Sequence, residues 1–530
     1  MSSATSDLLN TRIRWGYVRP HARRHRRQGF ESASPLNVLA IDLGGSALKA
    51  RLYDGTDRIL ASARLPAAFS QPDDASSEQD AEEWWCLLQA AVTEIAATAG
   101  TALADTGAIA ICGMTRTQVF LDEAGNAIRP AIGFRDRRAE RVALEAKAKL
   151  DSSRIPEAKN LNAYHPAARL AWLKEHEPQA AARLKVVLEP KDYLNFRLTG
   201  KTMTDHISEA RLIASFQGGP ASLAAALGLP DMLPPIGQPW DRVGTVREGL
   251  PGALGRLAGA DVYCGSHDTW SAVAGIGAMR PGSAYCISGS SEVFGLMTDR
   301  PASAEGLITL DWGDIWHIGG PGLNGANVLD WLLDRFGPKN GNTDDAIATL
   351  LAEPPAPRPL LFHPFLFGER VPFWDENLSA AFYGLSSEHG RGDMVRAAME
   401  GIAMVNRRTL DLAESAAGIQ AEQVFLAGGG ARVPEWPQIR ADMLDRPVVI
   451  VSEDPEAGLM GCLALARVAS GQAVSLADAA TSLAHKTVRI EPRPDRRERM
   501  NLLYELFLES FDTVSTISRK LAALARSQPT

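Results

Sequence analysis

One plan is used twice in this chain, once near the start of each half: an apolar run, a turn of small residues, and a second run of alternating apolar character. The first copy is Val38-Leu39-Ala40-Ile41-Asp42-Leu43, the turn Gly44-Gly45-Ser46, and Ala47-Leu48-Lys49-Ala50-Arg51-Leu52-Tyr53. The second is Ala284-Tyr285-Cys286-Ile287, the turn Ser288-Gly289-Ser290-Ser291, and Glu292-Val293-Phe294-Gly295. Each reads as a β-hairpin whose turn exposes backbone N–H groups. A third apolar run, Val424-Phe425-Leu426-Ala427, opens onto Gly428-Gly429-Gly430. Strand-like runs at 38–41, 108–112, 186–188, 261–264, 284–287, 424–426 and 448–451 alternate with amphipathic helical stretches, as in α/β proteins. With 530 residues the chain is too long for one core and suits two domains.

Glycine and serine turns let backbone donors approach phosphate oxygens without a Cβ in the way. Two such turns facing each other can hold a polyphosphate. Asp42, at the end of the first strand, suits the anchoring of Mg²⁺ through water. Between the two hairpins lies Cys264-Gly265-Ser266-His267-Asp268-Thr269, where Asp268 is placed to take a proton from a hydroxyl. Phosphoryl transfer asks a protein mainly for positioning, charge neutralisation and one such carboxylate. Taken singly, each turn is explained as a strand connector and Asp268 as a turn or cap residue. Together and in this order they point to a phosphotransferase. His267 beside Asp268 invites a relay, but adjacent residues at a strand end point apart, so packing or a loop hydrogen bond is expected of it.

A formal net charge of -8 gives no reason to expect a nucleic-acid partner, and 45% hydrophobic residues is a globular composition. No uninterrupted apolar stretch spans a bilayer, so a cytoplasmic protein without membrane partners is expected. Cys86, Cys112, Cys264, Cys286 and Cys462 are scattered without Cys-x-x-Cys spacing, against a metal site or disulfide framework. Residues 1–35 carry Arg12, Arg14, Arg19, Arg23, Arg24, Arg26 and Arg27 with little apolar periodicity and read as a disordered basic tail. An arm for anionic surfaces and a targeting peptide are the functional alternatives. Residues 496–526 carry an apolar stripe at helical spacing, Leu502, Leu503, Leu506, Phe507, Phe511, Val514 and Ile517, expected to pack on the second half.

Further segments carry a resemblance. Glu78-Gln79-Asp80-Ala81-Glu82-Glu83-Trp84-Trp85, Lys191-Asp192-Tyr193-Leu194-Asn195-Phe196-Arg197-Leu198-Thr199-Gly200, Thr204-Asp205, Phe367-Gly368-Glu369-Arg370-Val371-Pro372 and Ala457-Gly458-Leu459-Met460-Gly461-Cys462 are similar to motifs of the FGGY carbohydrate kinases. That group includes xylulokinase, glycerol kinase and rhamnulokinase, within the actin, Hsp70 and sugar kinase superfamily. The resemblance runs from about residue 36 to about 506. It implies two ribonuclease H-like domains with the active site in the cleft between them: 36–280 for sugar binding and the base, 281–526 for the nucleotide.

The resemblance also implies ATP and Mg²⁺, a small sugar or polyol as partner, and roles for named residues. Asp268 stands as general base and Asp42 beside the metal. Gly44, Gly45, Ser46, Lys49, Ser288, Gly289, Ser290, Ser291, Gly428 and Gly429 stand on the nucleotide side, and Thr115, Arg116, Asp136, Tyr164 and Thr269 on the substrate side. Several positions depart from relatives. Arg116 replaces the xylulokinase histidine, and Thr115-Arg116 occupies the place of the glycerol kinase Arg-Glu pair. Ser266-His267-Asp268-Thr269 is closer to the rhamnulokinase pattern than to the xylulokinase one, which moves the expectation away from D-xylulose. Gly45 stands where relatives often carry threonine, and Val433-Pro434 about where some carry an adenine-binding asparagine.

Arg116 suits a substrate dense in acceptor oxygens or bearing a carboxylate; the alternative is that it pairs with Asp136. Asp136 and Arg138 either touch the sugar or brace its pocket, and Tyr164 is either a polyol contact or a buried structural tyrosine. Ketopentoses, deoxyketohexoses, tetritols and pentitols are the substrate classes in view. The rival readings are a non-catalytic sugar or nucleotide sensor on the same fold and an actin-like or Hsp70-like ATPase. Whether the chain forms a homodimer is left open by its residues.

Overall fold

A computed structural model describes residues 36–336, 343–433, 435–451, 456–483 and 487–527. The basic segment 1–35 and Pro434, to which two of the expectations refer, lie outside the described residues.

Val38, Leu39, Ala40 and Ile41 are all wholly buried, so both faces of their strand are covered. That explains a continuous apolar run rather than an alternating one. The strand Asn37–Leu43 pairs antiparallel with Ala47–Tyr53, which sets Asp42 opposite Lys49, and pairs parallel with Thr106–Gly113 on its other side. The six-stranded sheet so begun has the spatial order Arg242–Thr245, Asp261–Tyr263, Thr106–Gly113, Asn37–Leu43, Ala47–Tyr53, Ile59–Pro66. Ser283–Ser288 and Glu292–Thr298 open a seven-stranded sheet in the same manner. Its order is Ile308–Asp311, Trp316–Pro321, Glu292–Thr298, Ser283–Ser288, Gln423–Gly428, Val448–Val451, Thr487–Ile490.

Both sheets therefore contain a hairpin and its antiparallel third strand on one side, with two parallel strands and an antiparallel edge strand on the other. This duplicated α/β plan is that of the actin, Hsp70 and sugar kinase fold. All seven runs expected to be strands fall on strands, although the strand at 261–264 ends at Tyr263 and Val186–Leu188 belongs to neither large sheet and pairs with Val119–Leu121.

One face of the first sheet is covered by the helix Ala81–Ala99 through Trp84, Leu88, Val92 and Ile95. Contrary to the sequence expectation, residues 81–105 are long and apolar enough to cross a membrane by length and composition. The wholly buried stripe against the sheet is the pattern of a core helix. The opposite face is lined by the small side chains of Ala40, Ala108, Ala110 and Cys112, against which Val273 and Leu463 pack. Val273 lies on the helix Asp268–Gly275, which follows the Asp261–Tyr263 strand, and Leu463 on Ala457–Ala469, which follows Val448–Val451. These two helices occupy equivalent places in the two halves and cross backbone to backbone. A Cβ on Gly461 would overlap the Ser271 carbonyl oxygen, and one on Gly275 the Ala457 oxygen.

The final helix, Arg497–Ser527, packs Met500, Leu503, Tyr504, Phe507, Phe511 and Val514 against Phe365, Met404 and Met443 of the second half. Only part of the expected stripe is used. Leu502, Leu506 and Ile517 are exposed, because three adjoining helical rows cannot all face one surface.

Candidate active site

The loop that carries Asp268 is held against the end of the Thr106–Gly113 strand. Gly265 has φ of 73°, and a Cβ there would overlap the Ile111 carbonyl oxygen, so only glycine lets the backbone pass. His267 then caps the following helix, its Nδ1 accepting from the Trp270 amide at 3.2 Å. That bond commits Nδ1 as an acceptor, which leaves no relay to Asp268 and agrees with the loop role expected for His267. Asp268 is the first helical residue, and its side chain is 48% exposed. Thr269 donates to Asp268 Oδ1 from its amide (2.6 Å) and its hydroxyl (3.2 Å). Thr269 thus steadies the carboxylate, and Oδ2 has no hydrogen-bond partner among the described residues.

Beneath this loop the Lys191-Asp192 and Thr204-Asp205 segments form a buried network. Lys191 Nζ bridges Asp192 (2.5 Å) and Asp205 (2.9 Å), Ser266 Oγ donates to Asp205 (2.9 Å), and Asn195 donates to the Cys264 carbonyl (2.9 Å). Burial pushes the Asp205 carboxyl upward, but Lys191 and the Ser208 bonds outweigh it and hold it at about 2. These motifs therefore brace the loop that presents Asp268.

Across the first hairpin, Lys49 Nζ lies 3.8 Å from Asp42 and 2.5 Å from Glu456. Gly458, in the first turn of the helix Ala457–Ala469, leaves room above Asp42, for a Cβ there would sit 3.1 Å from Asp42 Oδ2. Burial raises the Asp42 carboxyl to about 6; Lys49 opposes the rise, and Asp268 and Glu456 add to it. Asp42 and Glu456 flank one lysine, and Asp268 acts electrostatically on Asp42, a locally negative arrangement that suits a divalent cation. Among the described residues no group of three or more His, Cys, Asp or Glu is arranged to hold a metal alone. A cation here would rely on water and phosphate oxygens for most of its shell, the usual habit of Mg²⁺.

Gly45 lies under Phe134, 3.2 Å from where a Cβ would reach it, which accounts for the missing threonine. Ser46 is exposed at the turn. In the second hairpin Gly289 and Ser290 are exposed, and their carbonyls accept from the Ala326 and Asn327 amides at 3.1 and 3.0 Å. Ser291 is half-buried. The side chain expected of Ser288 is not available to a ligand. It is wholly buried, donates to Glu292 at 2.8 Å, accepts from Arg440 at 3.2 Å and is covered by Gly430. Gly428, with φ of 90°, is exposed beside Ser288, and Gly429 lies under Arg432.

On the substrate side, Thr115 Oγ1 and the Arg116 amide both donate to Glu189 Oε1 at 2.8 Å. Arg169 donates to the carbonyls of Arg116 (2.6 Å), Gly133 (2.8 Å) and Asp136 (3.2 Å). Arg116 has φ of 59°, a left-handed conformation that these bonds hold in place. Asp136 must be corrected as a substrate contact. It is wholly buried and accepts from the Ser77 amide (2.7 Å) and from Arg138 Nη2 (2.7 Å), so it ties these two segments together and does not pair with Arg116. Tyr164 is 37% exposed, which removes the buried structural reading.

Glu189, Arg169, Arg211, Arg370 and Glu456 were given no role from the sequence. Glu189 precedes the Pro190-Lys191-Asp192 segment and Arg370 sits within a recognised motif, so both had a signal. Arg211 and Glu456 had none.

Family models place the N-terminal domain of the FGGY family of carbohydrate kinases on residues 37–275 and its C-terminal domain on residues 284–470. The xylulose kinase of Escherichia coli is 27% identical over 487 residues, covering 89% of this chain and 99% of the relative. The gluconokinase of Bacillus subtilis is 25% identical over 510 residues, 89% and 94% of the two chains. The crystal structure of xylulose kinase from Rhodospirillum rubrum superposes with a TM-score of 0.81 at 26% identity, over 91% of this chain and 100% of that one. Two domain models in chain order and kinase relatives matched along nearly their whole length establish that this chain belongs to the FGGY family of carbohydrate kinases, ATP-dependent phosphotransferases with an alcohol group as acceptor.

Proposed function

We propose that the chain transfers the γ-phosphoryl group of ATP to a hydroxyl of a small sugar or polyol held beside Arg116 and Tyr164, with Asp268 as general base. The observation that carries this reading is the placement of Asp268. Its half-exposed carboxylate is pinned at the first turn of a helix, and electrostatically it acts on Asp42 on one side and, like Arg116, on His267 on the other.

The free Oδ2 of Asp268 accepts the proton of the attacking hydroxyl while the Thr269 bonds to Oδ1 fix its direction. Lys49 and the amides of the Gly44–Ser46 and Gly289–Ser291 turns receive the β- and γ-phosphates. Mg²⁺, when bound with the nucleotide beside Asp42, supplies charge neutralisation between phosphate oxygens. The sugar and the base belong to residues 36–280 and the nucleotide to 281–526. Closure of the two halves about the crossing of the Asp268–Gly275 and Ala457–Ala469 helices excludes water, which would otherwise compete as acceptor. On the same reading the enzyme works in the cytoplasm, on ATP.

Asp268→Asn tests the proposal. ADP release with sugar present should fall by at least about 10²-fold, the size of a general-base contribution, while ATP binding measured by calorimetry is unchanged. Near-normal turnover by this variant removes Asp268 from the role. ATP binding without sugar-stimulated ADP release in the unaltered protein supports the sensor reading instead.

A further inference from the structure

We propose that a cavity in the second half binds a monovalent cation of potassium's size, held by the side-chain amide oxygens of Asn324 and Asn406 and by the carboxylate of Glu369. The binding itself does not depend on the kinase reading; only its effect on ATP does.

The cavity, of about 10 Å³, has room for one occupant the size of water. Glu292, Asn324, Glu369, Val405, Asn406 and Thr409 are among the residues that line it. Glu292 opens the strand Glu292–Thr298, Asn324 and Glu369 lie in the loops after Trp316–Pro321 and Leu361–His363, and the other three lie on the helix Arg391–Ala417. Each polar residue among them is 4% exposed or less.

The side-chain donors on this wall are spent. Asn324 Nδ2 donates to the Gly368 carbonyl at 2.7 Å and to Glu369 Oε2 at 2.9 Å, Asn406 Nδ2 to Glu292 Oε2 at 2.6 Å, and Thr409 Oγ1 to the Val405 carbonyl at 3.0 Å. Those bonds fix which way both amides point. Asn324 Oδ1 is left buried without a partner, and no donor among the described residues bonds Asn406 Oδ1.

Two carboxylates border the cavity, and only one has a cationic partner. Glu292 pairs with Arg440. Glu369 accepts from the Leu323 and Arg370 amides at 2.6 and 2.8 Å and from Asn324, all uncharged donors, and makes no ion pair among the described residues. Burial raises its carboxyl, although those bonds and the charge of Arg370 oppose the rise.

A wall that offers acceptor oxygens, no free side-chain donor and a carboxylate without an ion pair is matched by a cation, since such oxygens can replace the hydration shell of potassium. A water would satisfy Asn324 Oδ1 but leave the Glu369 charge as it is and find no side-chain donor for its own oxygen. Mg²⁺ keeps several waters, for which this cavity has no room. The ion steadies the second phosphate turn. Just beyond Asn324, the Ala326 and Asn327 amides donate to the Gly289 and Ser290 carbonyls, and just before it the Gly322 amide donates to the Glu292 carbonyl at 2.8 Å.

The test replaces tetramethylammonium chloride by potassium chloride at constant ionic strength. The unaltered protein should gain at least about 2 °C in melting temperature, saturably, and the ATP concentration for half-maximal ADP release should fall about fivefold. Glu369→Gln should need at least about tenfold more potassium for the same gain. In tetramethylammonium it should melt at the parent's temperature or above, because a buried charge has gone, so a lost response is not lost folding. Val405→Leu adds a methylene to the cavity wall and leaves all three ligands in place; it should lose the response as well.

In crystals grown with thallium(I) in place of potassium, an anomalous peak should lie in the cavity beside Asn324 Oδ1 and Glu369. Water alone in the cavity of such crystals, equal melting in the two salts, or a full potassium response in Glu369→Gln overturns the proposal. A bound ion without sugar-stimulated ADP release defeats the kinase reading and leaves the site standing, whereas sugar-stimulated ADP release with no ion in the cavity does the reverse.

Discussion

Replacing Asp42 by asparagine should stabilise the metal-free protein while abolishing catalysis. The Asp42 side chain is only 14% exposed, and its carboxyl is raised from an ordinary 3.8 to about 6, chiefly by burial. Below pH 3.8 both folded and unfolded chains carry it protonated, and it costs nothing. Between 3.8 and 6 the unfolded chain ionises first, so stability declines as pH rises. Above 6 the penalty is constant at about 3 kcal/mol, from about 1.4 kcal/mol for each pH unit of the rise.

Asparagine has nearly the same shape and no charge to bury, and Lys49 keeps Glu456 as its partner at 2.5 Å. Urea denaturation in EDTA should therefore show the variant about 3 kcal/mol more stable than the parent at pH 8 and only about 1 kcal/mol more stable at pH 4.5. Mg-ATP should narrow the gap, because it stabilises the parent and not the variant. A variant less stable than its parent at pH 8, or a gap independent of pH, would show that the Asp42 charge is compensated in the folded protein and would refute the reasoning.

Other outcomes can be checked alongside. Gly461→Ala forces a Cβ into the Ser271 carbonyl at the helix crossing; a loss of at least about 1–3 kcal/mol is expected by denaturation, with a slower sugar-stimulated rate. Lys191→Met removes the only cation paired, among the described residues, with the wholly buried Asp192 and Asp205 and should cost about 3–5 kcal/mol, visible as a large fall in melting temperature. Glu189→Gln keeps the shape beneath Thr115 and Arg116 but weakens both bonds, so KM for the sugar should rise several-fold while kcat changes little. His317 is wholly enclosed beside Tyr285 and is lowered to about 3 by burial, with His267 adding. The unfolded chain therefore takes up a proton below 6.5 before the folded one does, and acidification from pH 6 to 4.5 should cost about 1.4 kcal/mol per pH unit, a slope that His317→Gln flattens.

The strands were legible because most of them are covered on both faces. A strand of that kind must be a continuous apolar run, and Gly44-Gly45, Ser288-Gly289 and Gly428-Gly429 mark where such runs end. The last helix was only half legible, since Leu502 and Leu503 are equally apolar and only the neighbours Phe365 and Met404 decide which is covered. The loop of Asp268 was visible for a local reason: Gly265 is demanded by a backbone crossing next to it. Asp136 and Ser288 could not be placed from local sequence. What commits Ser288 is Arg440, 152 positions away, and what seals Asp136 is the Ser77 amide, 59 positions away.

The duplicated hairpins show how one backbone plan serves two electrostatic tasks. In the first, the facing pair is Asp42 and Lys49, and both side chains remain partly exposed, at 14% and 25%. In the second, the facing pair is Ser288 and Glu292. Glu292 is sealed by Arg440, by Asn406 at 2.6 Å and by Ser288 at 2.8 Å. A buried carboxylate that is fully bonded rigidifies its turn but has nothing left to offer a ligand. The second turn can therefore act on phosphate only through backbone amides and the exposed residues at its tip, whereas the first contributes side-chain charge. Side-chain charge is thus concentrated at the Asp42 hairpin, in the same half as Asp268, and the second hairpin supplies a rigid edge.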